Sequence, residues 1–214
     1  MRQRTQVINA LRAHMAELGI VAAQGRDGIK ELLKIIASEQ DARLPVDAHT
    51  SLVVLATGLQ ALQTMIRSIE KRIVVQHRSN EASKRLATIP GIGVIGATAI
   101  AATVPDPKVF RSGRDLAAWI GLVPREGSTG GKQKLGPISK QGDQYLRRIL
   151  VVGAHAVLKR ARQQPEKYPW LTGLLARKPF RVVAVALANK MARIAWALLA
   201  KGGTYRAPAL TAAA

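Results

Sequence analysis

The amino-acid sequence predicts a mainly α-helical protein in which a helical coiled-coil arm precedes a compact helical domain containing a helix-hairpin-helix. Three features predict this fold class. Apolar residues recur at helical spacing along most of the chain, the longest series forms a heptad repeat, and a Gly-apolar-Gly turn divides two apolar segments. A chain of 214 residues is long enough for one large or two small hydrophobic cores.

The arm is predicted to occupy residues 1–80. Helical spacing begins almost at Met1, and a break at 25–28 leads to a short helix over 30–36. A longer helix then carries seven Leu or Ile residues whose separations alternate between three and four: Leu52, Leu55, Leu59, Leu62, Ile66, Ile69 and Ile73. We expect this Leu52–Ile73 seam to form a coiled-coil hairpin or a homo-oligomer interface; a core helix of a bundle is the alternative.

The C-terminal domain is predicted over residues 81–203, followed by a disordered tail over 204–214. A helix-hairpin-helix is expected at 86–104, a short helix at 113–120, a serine-bearing loop at 121–141, an amphipathic helix after Gly142-Asp143, and helices near 170–176 and 182–200. Only the apolar residues near Leu122-Val123 suggest a strand. Trp119, Trp170 and Trp196 lie in amphipathic segments and are expected in the core, and no aromatic platform for base stacking is recognisable.

The predicted hairpin is centred on Gly91-Ile92-Gly93, followed by Ala97 and Ile100 at the spacing of the helix-hairpin-helix pattern. Two glycines permit a tight turn, and the next helix then directs unpaired backbone N–H groups outward. These amides and the helix dipole bind a backbone phosphate without reading bases. We therefore predict DNA-phosphate binding at Gly91 and Gly93, with an ordinary turn between packed helices as the alternative.

The loop at 121–141 contains the run GSTGGKQK at 127–134. It is not a P-loop, because Glu126 stands where glycine is required and Gln133 stands where Ser or Thr would bind magnesium. Successive glycine amides form anion-binding nests, and cations neutralise phosphate, so we predict phosphate contacts by Gly130, Gly131, Lys132, Lys134, Lys140, Arg147 and Arg148. A serine here attacks a phosphodiester only if a base activates it, and a solvated basic loop is the alternative.

The charge of the chain predicts a polyanionic partner. The sequence has 33 Lys and Arg against 13 Asp and Glu, a net charge of +20. Residues 1–106 hold 13 basic and 9 acidic side chains, whereas residues 107–214 hold 20 and 4. Solubility requires a net charge of only about 2–8, so the excess favours nucleic acid as the partner.

Several classes of protein are excluded by composition. The absence of cysteine excludes disulfides and thiolate zinc sites, and the four histidines are too far apart in sequence to predict a metal site. Lys190 and Arg193 interrupt the apolar stretch 182–200, and the stretch 92–104 is shorter than the ~20 residues of a membrane-spanning helix. We therefore expect a soluble, cytoplasmic protein without a membrane partner.

Residues 86–158 resemble the C-terminal domain of the DEDD insertion-sequence transposases, the group that contains the Piv and MooV invertases. The resemblance rests on the segments 89–93, 110–124, 128–132, 136–140 and 142–148, which read IPGIG, FRSGRDLAAWIGLVP, STGGK, GPISK and GDQYLRR. The opening segment 2–12, RQRTQVINALR, resembles the stretch that follows the acidic domain of the family.

This resemblance implies a DNA recombinase whose chemistry is divided between two domains. In the family an N-terminal RuvC-like domain holds four magnesium-binding carboxylates, a serine of the C-terminal domain bonds covalently to DNA, and a guide RNA pairs with target and donor. That serine corresponds to Ser128, with Thr129 as the alternative register. The thirteen acidic residues of this chain are dispersed. We therefore expect the chain alone to bind no cofactor, with magnesium supplied only by the missing acidic domain.

Taken alone, the chain is expected to bind DNA, with a guide RNA as a further partner, without completing recombination. A non-catalytic nucleic-acid-binding module and a structural component of a ribonucleoprotein are the alternatives. Covalent capture of DNA separates the transposase from both alternatives, and preference for duplex DNA over structured RNA separates the two alternatives from each other.

Overall fold

The computed structural model describes residues 2–38, 41–127 and 135–207, and 71% of these are helical, which confirms the mainly α fold class. The helices are α1 (Arg2–Glu17), α2 (Arg26–Ile36), α3 (Val46–Ser79), α4 (Glu81–Ala87), α5 (Val94–Thr103), α6 (Gly113–Trp119), α7 (Gln144–Gln163), α8 (Pro169–Leu175) and α9 (Phe180–Lys201). Two 3₁₀ turns lie at Pro107–Val109 and Pro165–Lys167, and two strands, β1 (Pro124–Glu126) and β2 (Leu135–Ile138), form an antiparallel pair.

The chain divides into two compact units, Met1–Arg72 and Ile73–Ala214. The sequence placed this boundary after residue 80, at the end of the long helical pattern. The structural boundary falls inside α3, and this helix continues without a break from Val46 to Ser79.

The first unit has its own hydrophobic core, formed by α1, α2 and the N-terminal part of α3. Leu11 and Met15 of α1, Leu32 of α2, and Leu52 and Leu59 of α3 are almost completely buried. Two polar contacts tie the helices to their connections: the Arg12 guanidinium donates hydrogen bonds to the carbonyls of Ala22 and Ala23, and the ring Nε2 of His49 lies 2.9 Å from the carbonyl oxygen of Ile36.

The predicted seam on α3 has two different environments. Leu52 and Leu59 are buried in the core of the first unit, as the core-helix alternative requires. From residue 62 onward α3 contains no buried residue among those described, and Ile69 is 56% exposed. The N-terminal half of the seam therefore stabilises the fold of the chain itself, while the coiled-coil prediction remains for the C-terminal half.

The core of the second unit is built on α7 and α9, which pack against each other, with α4, α5 and α6 around them. Its most deeply buried side chains come from five helices: Leu86, Ile100, Leu116, Leu146, Leu150, Leu158, Ala184 and Ala188. Trp196 is partly buried, and its indole N–H donates to the carbonyl of Pro107 at 3.0 Å. The expectation of core positions for Trp119 and Trp170 is wrong, since these side chains are 41% and 44% exposed.

The region predicted as a loop at 121–141 contains the paired strands β1 and β2. The strands lie just after Leu122-Val123, where the sequence suggested one. Strands of three and four residues are too short to show alternation of polar and apolar side chains, and Pro124 and Pro137 lower the strand propensity further. The sequence pattern therefore could not reveal β2 or the pairing of the two strands.

The predicted tail at 204–214 begins with ordered residues. The backbone N–H of Tyr205 donates a 2.9 Å hydrogen bond to the hydroxyl of Thr88, and the Tyr205 side chain packs against the core of the second unit. Tyr205, at the start of the predicted tail, therefore contacts the second unit, while residues 208–214 lie outside the described residues.

Two of the described helices, α3 and α9, are long and apolar enough to cross a membrane by length and composition alone. For α9 the apolar composition has another explanation, because one face of the helix forms much of the core of the second unit. For α3 the apolar composition is explained in part by the N-terminal half of the seam, which packs in the core of the first unit.

Candidate nucleic-acid interface

The hairpin formed by β1 and β2 is fixed at its base by Arg147 of α7. The Nη1 of Arg147 donates hydrogen bonds to the carbonyls of Ile120 and Gln141, at 2.7 and 2.8 Å. These two carbonyls lie on opposite sides of the hairpin, one before β1 and one after β2. One charged side chain therefore holds both ends of the hairpin against the N-terminal turn of α7, and charged donors make the stronger class of hydrogen bond.

Further contacts anchor the same hairpin to the domain. Asn189 of α9 donates from its side-chain amide to the carbonyl of Leu122 at 3.2 Å. Gly142 has a φ of +72°, and a Cβ atom at that position would lie 1.7 Å from the carbonyl oxygen of Trp119, so only glycine fits. Asp143 then caps α7 by accepting a hydrogen bond from the backbone N–H of Leu146 at 2.8 Å.

Most of the site residues predicted in the serine loop come between β1 and β2 in the sequence. Ser128, Thr129, Gly130, Gly131, Lys132 and Lys134 are outside the described residues, so the structure does not test the roles predicted for them. The chain enters this segment from β1 and leaves it through β2. Lys140 lies just after β2; its side chain is exposed and its backbone has a φ of +56°, a conformation that few residues other than glycine adopt.

The turn between α4 and α5 approaches α7 at two glycines. Gly91 has a φ of +88°, and a Cβ atom there would lie 2.7 Å from the carbonyl oxygen of Gly153. A Cβ atom at Gly153 would lie 2.1 Å from the carbonyl oxygen of Gly91. Packing therefore accounts for glycine at position 91 without any ligand.

Gly93 has a different environment. It is the N-cap of α5, no side chain caps the helix there, and a Cβ atom at this position would have no neighbour within 4 Å. The first backbone N–H groups of α5 consequently begin at an exposed glycine, the arrangement that phosphate binding at a helix N-terminus requires. Of the two predicted glycines, only Gly93 can be replaced without disturbing the packing.

One face of α7 is exposed along its whole length. Its residues repeat at separations of three and four: Tyr145, Arg148, Val152, His155, Lys159 and Arg162. Arg162 lies over the ring of Phe180, 4.7 Å from its centroid, and His155 is in contact with the same ring. Arg148 and Lys159 have no hydrogen-bond or ion-pair partner among the described residues, so their charges face solvent.

Three acidic residues of the domain have structural contacts. Asp143 caps α7, Asp106 accepts a hydrogen bond from the backbone N–H of Lys108, and the carboxylate of Asp115 lies 3.9 Å from Arg111. In the part of the chain that the structure describes, no three His, Asp or Glu side chains are placed to hold a metal ion.

Comparison with known proteins decides the class of the domain. Residues 83–169, from α4 to the first residue of α8, match the family described as transposase IS116/IS110/IS902. This segment is similar to the IS116/IS110/IS902 transposases. The transposase segment, as we call residues 83–169, includes the α4–α5 turn, the hairpin and the exposed face of α7.

Full-length relatives extend the similarity beyond the transposase segment. The chain is 47% identical to the provisionally named transposase y4pF/y4sB of Sinorhizobium fredii, over 96% of this chain and 53% of that protein. It is 36% identical to the transposase for insertion sequence element IS1111A of Coxiella burnetii, over 96% of this chain and 57% of the relative. For the transposase of IS1328 of Yersinia enterocolitica the identity is 38%, over 96% and 61%. The chain thus spans about half to three-fifths of the length of these relatives.

The structure gives two neighbouring residues of the predicted site different environments. Arg147 and Arg148 were predicted together as phosphate ligands, yet Arg147 is partly buried and bonded to two carbonyls, while Arg148 is exposed. Asn189 was missed entirely. Its only signal in the sequence is a polar amide within the apolar run of α9.

We expect Arg147→Ala to lower the free energy of unfolding by about 1.5–3 kcal/mol, because two carbonyls lose a charged donor. The neighbouring Arg148→Ala is the matched control and should change it by less than about 0.5 kcal/mol, since that side chain is exposed. Urea denaturation followed by circular dichroism measures both. Equal stability of the two variants would contradict the role of Arg147 in holding the hairpin.

Proposed function

We propose that this chain is the DNA-binding part of an insertion-sequence transposase. The observation that carries the proposal is the match of residues 83–169 to the transposase family, together with the free cations Arg148 and Lys159 on the exposed face of the same segment. The relatives are named as transposases of insertion sequences, and a protein that moves such elements has to hold DNA.

Phosphate contacts are proposed at three places in the transposase segment. The exposed face of α7 supplies Arg148 and Lys159, the start of α5 supplies backbone N–H groups next to Gly93, and Lys140 lies at the end of the hairpin. All of these groups are proposed to contact phosphates and not base edges. The resulting binding is electrostatic and independent of sequence, as expected of contacts that position DNA.

The proposed covalent step uses Ser128, with Thr129 as the alternative register. The Ser128 hydroxyl oxygen attacks a DNA phosphorus, and the bond between that phosphorus and one strand oxygen breaks. The strand oxygen leaves as a hydroxyl and takes up the proton, while the serine becomes esterified to the other strand end. A later attack by a DNA hydroxyl reverses the ester and joins the new strands, so the step needs no external energy source.

The complete reaction is proposed to need further components. An acidic domain would bring magnesium ions, and a guide RNA would select target and donor. These partners follow from the resemblance seen in the sequence. The proposal places the complete machinery in the cytoplasm, where the DNA of a bacterial element is found.

A homo-oligomer is proposed to form through the C-terminal half of the seam. Leu62, Ile66 and Ile69 continue the heptad spacing beyond the core of the first unit, and none of them is buried. Apolar heptad positions that stay partly or largely exposed favour association with a second helix of the same kind. The N-terminal half of the seam does not contribute, because its side chains are already packed in the core of the first unit.

A non-catalytic nucleic-acid-binding module is the second candidate. It shares the cationic face and differs only in the chemistry of Ser128. The distinction therefore rests on covalent capture of DNA, and binding measurements alone do not separate the two.

We expect the chain to bind duplex DNA with an affinity that falls steeply as salt rises. Replacing Arg148 and Lys159 by Gln should reduce the magnitude of the slope of log affinity against log salt by about one per residue. The reason is that each lost cation leaves one phosphate, with its counterions, unneutralised by the protein. Fluorescence anisotropy of a labelled duplex at several salt concentrations measures this. Arg2→Gln, an exposed arginine outside the transposase segment, is the control, and an equal effect of that variant would argue against a localised interface. Gly93→Val tests the start of α5 in the same assay.

Covalent capture of DNA tests the role of Ser128 as the nucleophile. The chain, a separately produced acidic domain, magnesium, guide RNA and a duplex carrying element ends should yield a protein–DNA adduct that resists denaturant. Ser128→Ala should abolish the adduct and retain duplex binding. If Ser128→Ala still forms the adduct and Thr129→Ala does not, the register shifts to Thr129. If both variants retain it, the proposed chemistry of this loop is wrong.

The third prediction concerns assembly. The double variant Ile66→Lys/Ile69→Lys should convert an oligomer into a monomer in sedimentation-equilibrium measurements, because charges replace apolar heptad positions. Val75→Lys changes an exposed valine of the same helix that lies off the seam and should leave the mass unchanged. A monomeric unmodified chain would rule out this interface.

A further inference from the structure

Two adjoining cavities lie in the second unit, on the side of α9 that carries Asn189, Lys190 and Arg193. The first, which we call the basic groove, has a volume of about 780 Å³ and is lined by Arg114, Lys190 and Arg193. The second, the aromatic pocket, has a volume of about 520 Å³ and is lined by Tyr168, Trp170 and Tyr205. Trp170, Lys190 and Ile194 line both, so the two cavities share a wall.

The fold holds the aromatic side chains at the pocket by contacts on both of its sides. Leu171 is buried and fixes α8 on the core, while the neighbouring Trp170 remains 44% exposed. The ammonium of Lys190 lies 4.0 Å from the centroid of the Trp170 ring. On the other side, the hydrogen bond from the Tyr205 backbone to Thr88 holds the C-terminal segment against the domain.

The charges around the two cavities have one sign. Their lining residues include Arg114, Lys167, Lys190 and Arg193, and no Asp or Glu side chain. The aromatic pocket also contains Pro90, Pro169 and Leu171, so its surface is mostly apolar. A ligand that fits both cavities has a flat apolar part next to a negatively charged part.

We propose that the two cavities bind one unpaired nucleotide of a DNA strand, with its base in the aromatic pocket and its flanking phosphates in the basic groove. The volume of the aromatic pocket lies within the range of about 300–1,000 Å³ that small planar ligands occupy in proteins. Bases stack on aromatic rings regardless of sequence, and the nearby cations attract the phosphates.

This assignment rests on the proposed function and adds a second kind of contact to it. The exposed face of α7 would bind the backbone of a duplex, whereas the aromatic pocket accepts only a base that has left its pair. Exchange of strands opens base pairs, so the DNA on which a transposase acts contains such unpaired bases. The sequence did not indicate a site at Trp170 or Tyr205, because both are distant from the motifs and α8 is only seven residues long.

The decisive comparison uses two tryptophans of similar exposure. Trp170→Leu removes the ring shared by the two cavities, and Trp119→Leu removes a ring that is 41% exposed, packs on Phe110 and lines neither cavity. The probe is a labelled single-stranded oligothymidylate of about 12 nucleotides, long enough for a single-strand site. Fluorescence anisotropy with the full chain should show about tenfold weaker binding for Trp170→Leu and no change for Trp119→Leu.

Two further readouts separate stacking from a loss of structure. A strand containing 2-aminopurine should lose the fluorescence quenching caused by the aromatic pocket when Trp170 is replaced, while duplex binding stays at the unmodified level. Arg193→Gln, an exposed side chain of the basic groove, should lower the salt slope for the single strand by about one. If Trp170→Leu melts below the assay temperature, Arg193→Gln and Tyr168→Leu decide the assignment.

The outcomes are distinct. Unchanged single-strand binding by Trp170→Leu, with normal duplex binding, overturns the pocket and leaves the proposed function intact. Failure of the unmodified chain to bind either form of DNA overturns the proposed function and the pocket with it. Tighter binding of an oligouridylate that depends on Trp170 overturns the choice of DNA and assigns the pocket to an RNA nucleotide.

Discussion

The close approach of the Gly91 and Gly153 backbones sets the geometry of the transposase segment. It brings the turn before α5 directly onto α7, the helix that also packs on α9 and holds the hairpin through Arg147. Any side chain at either glycine would push the two segments apart, because both obstacles are backbone atoms that cannot move aside. The start of α5, the hairpin and the cationic face of α7 therefore keep fixed positions relative to one helix.

The same domain uses its positive charges in two ways. Arg147 is partly buried and its charge compensates carbonyl groups, whereas Arg148, next to it, faces solvent. The folded domain thus commits some cations to its own stability and leaves others for a partner. A net charge counted from the sequence includes both kinds and overstates the number available to nucleic acid.

The sequence predicted the helical fold class, the transposase resemblance and the amphipathic helix after Gly142-Asp143, because these depend on periodicity and on a long specific motif. It did not predict the hairpin strands, whose few residues include prolines, nor the exposure of Trp119 and Trp170. It also could not divide the seam at Leu59, since heptad spacing is the same for a helix packed in its own core and for one paired with another chain. These distinctions depend on contacts between distant residues.

Helix α9 is the last helix that the structure describes, and it contacts α4, α6, α7 and α8. During synthesis the earlier helices of the second unit emerge from the ribosome first, and the apolar faces that pack on α9 stay uncovered until residues 180–201 follow. Apolar surface that stays exposed in this way makes a nascent chain prone to aggregation until the core closes. A ribosome that stops before α9 would release a product with an open core, which proteases and aggregation remove.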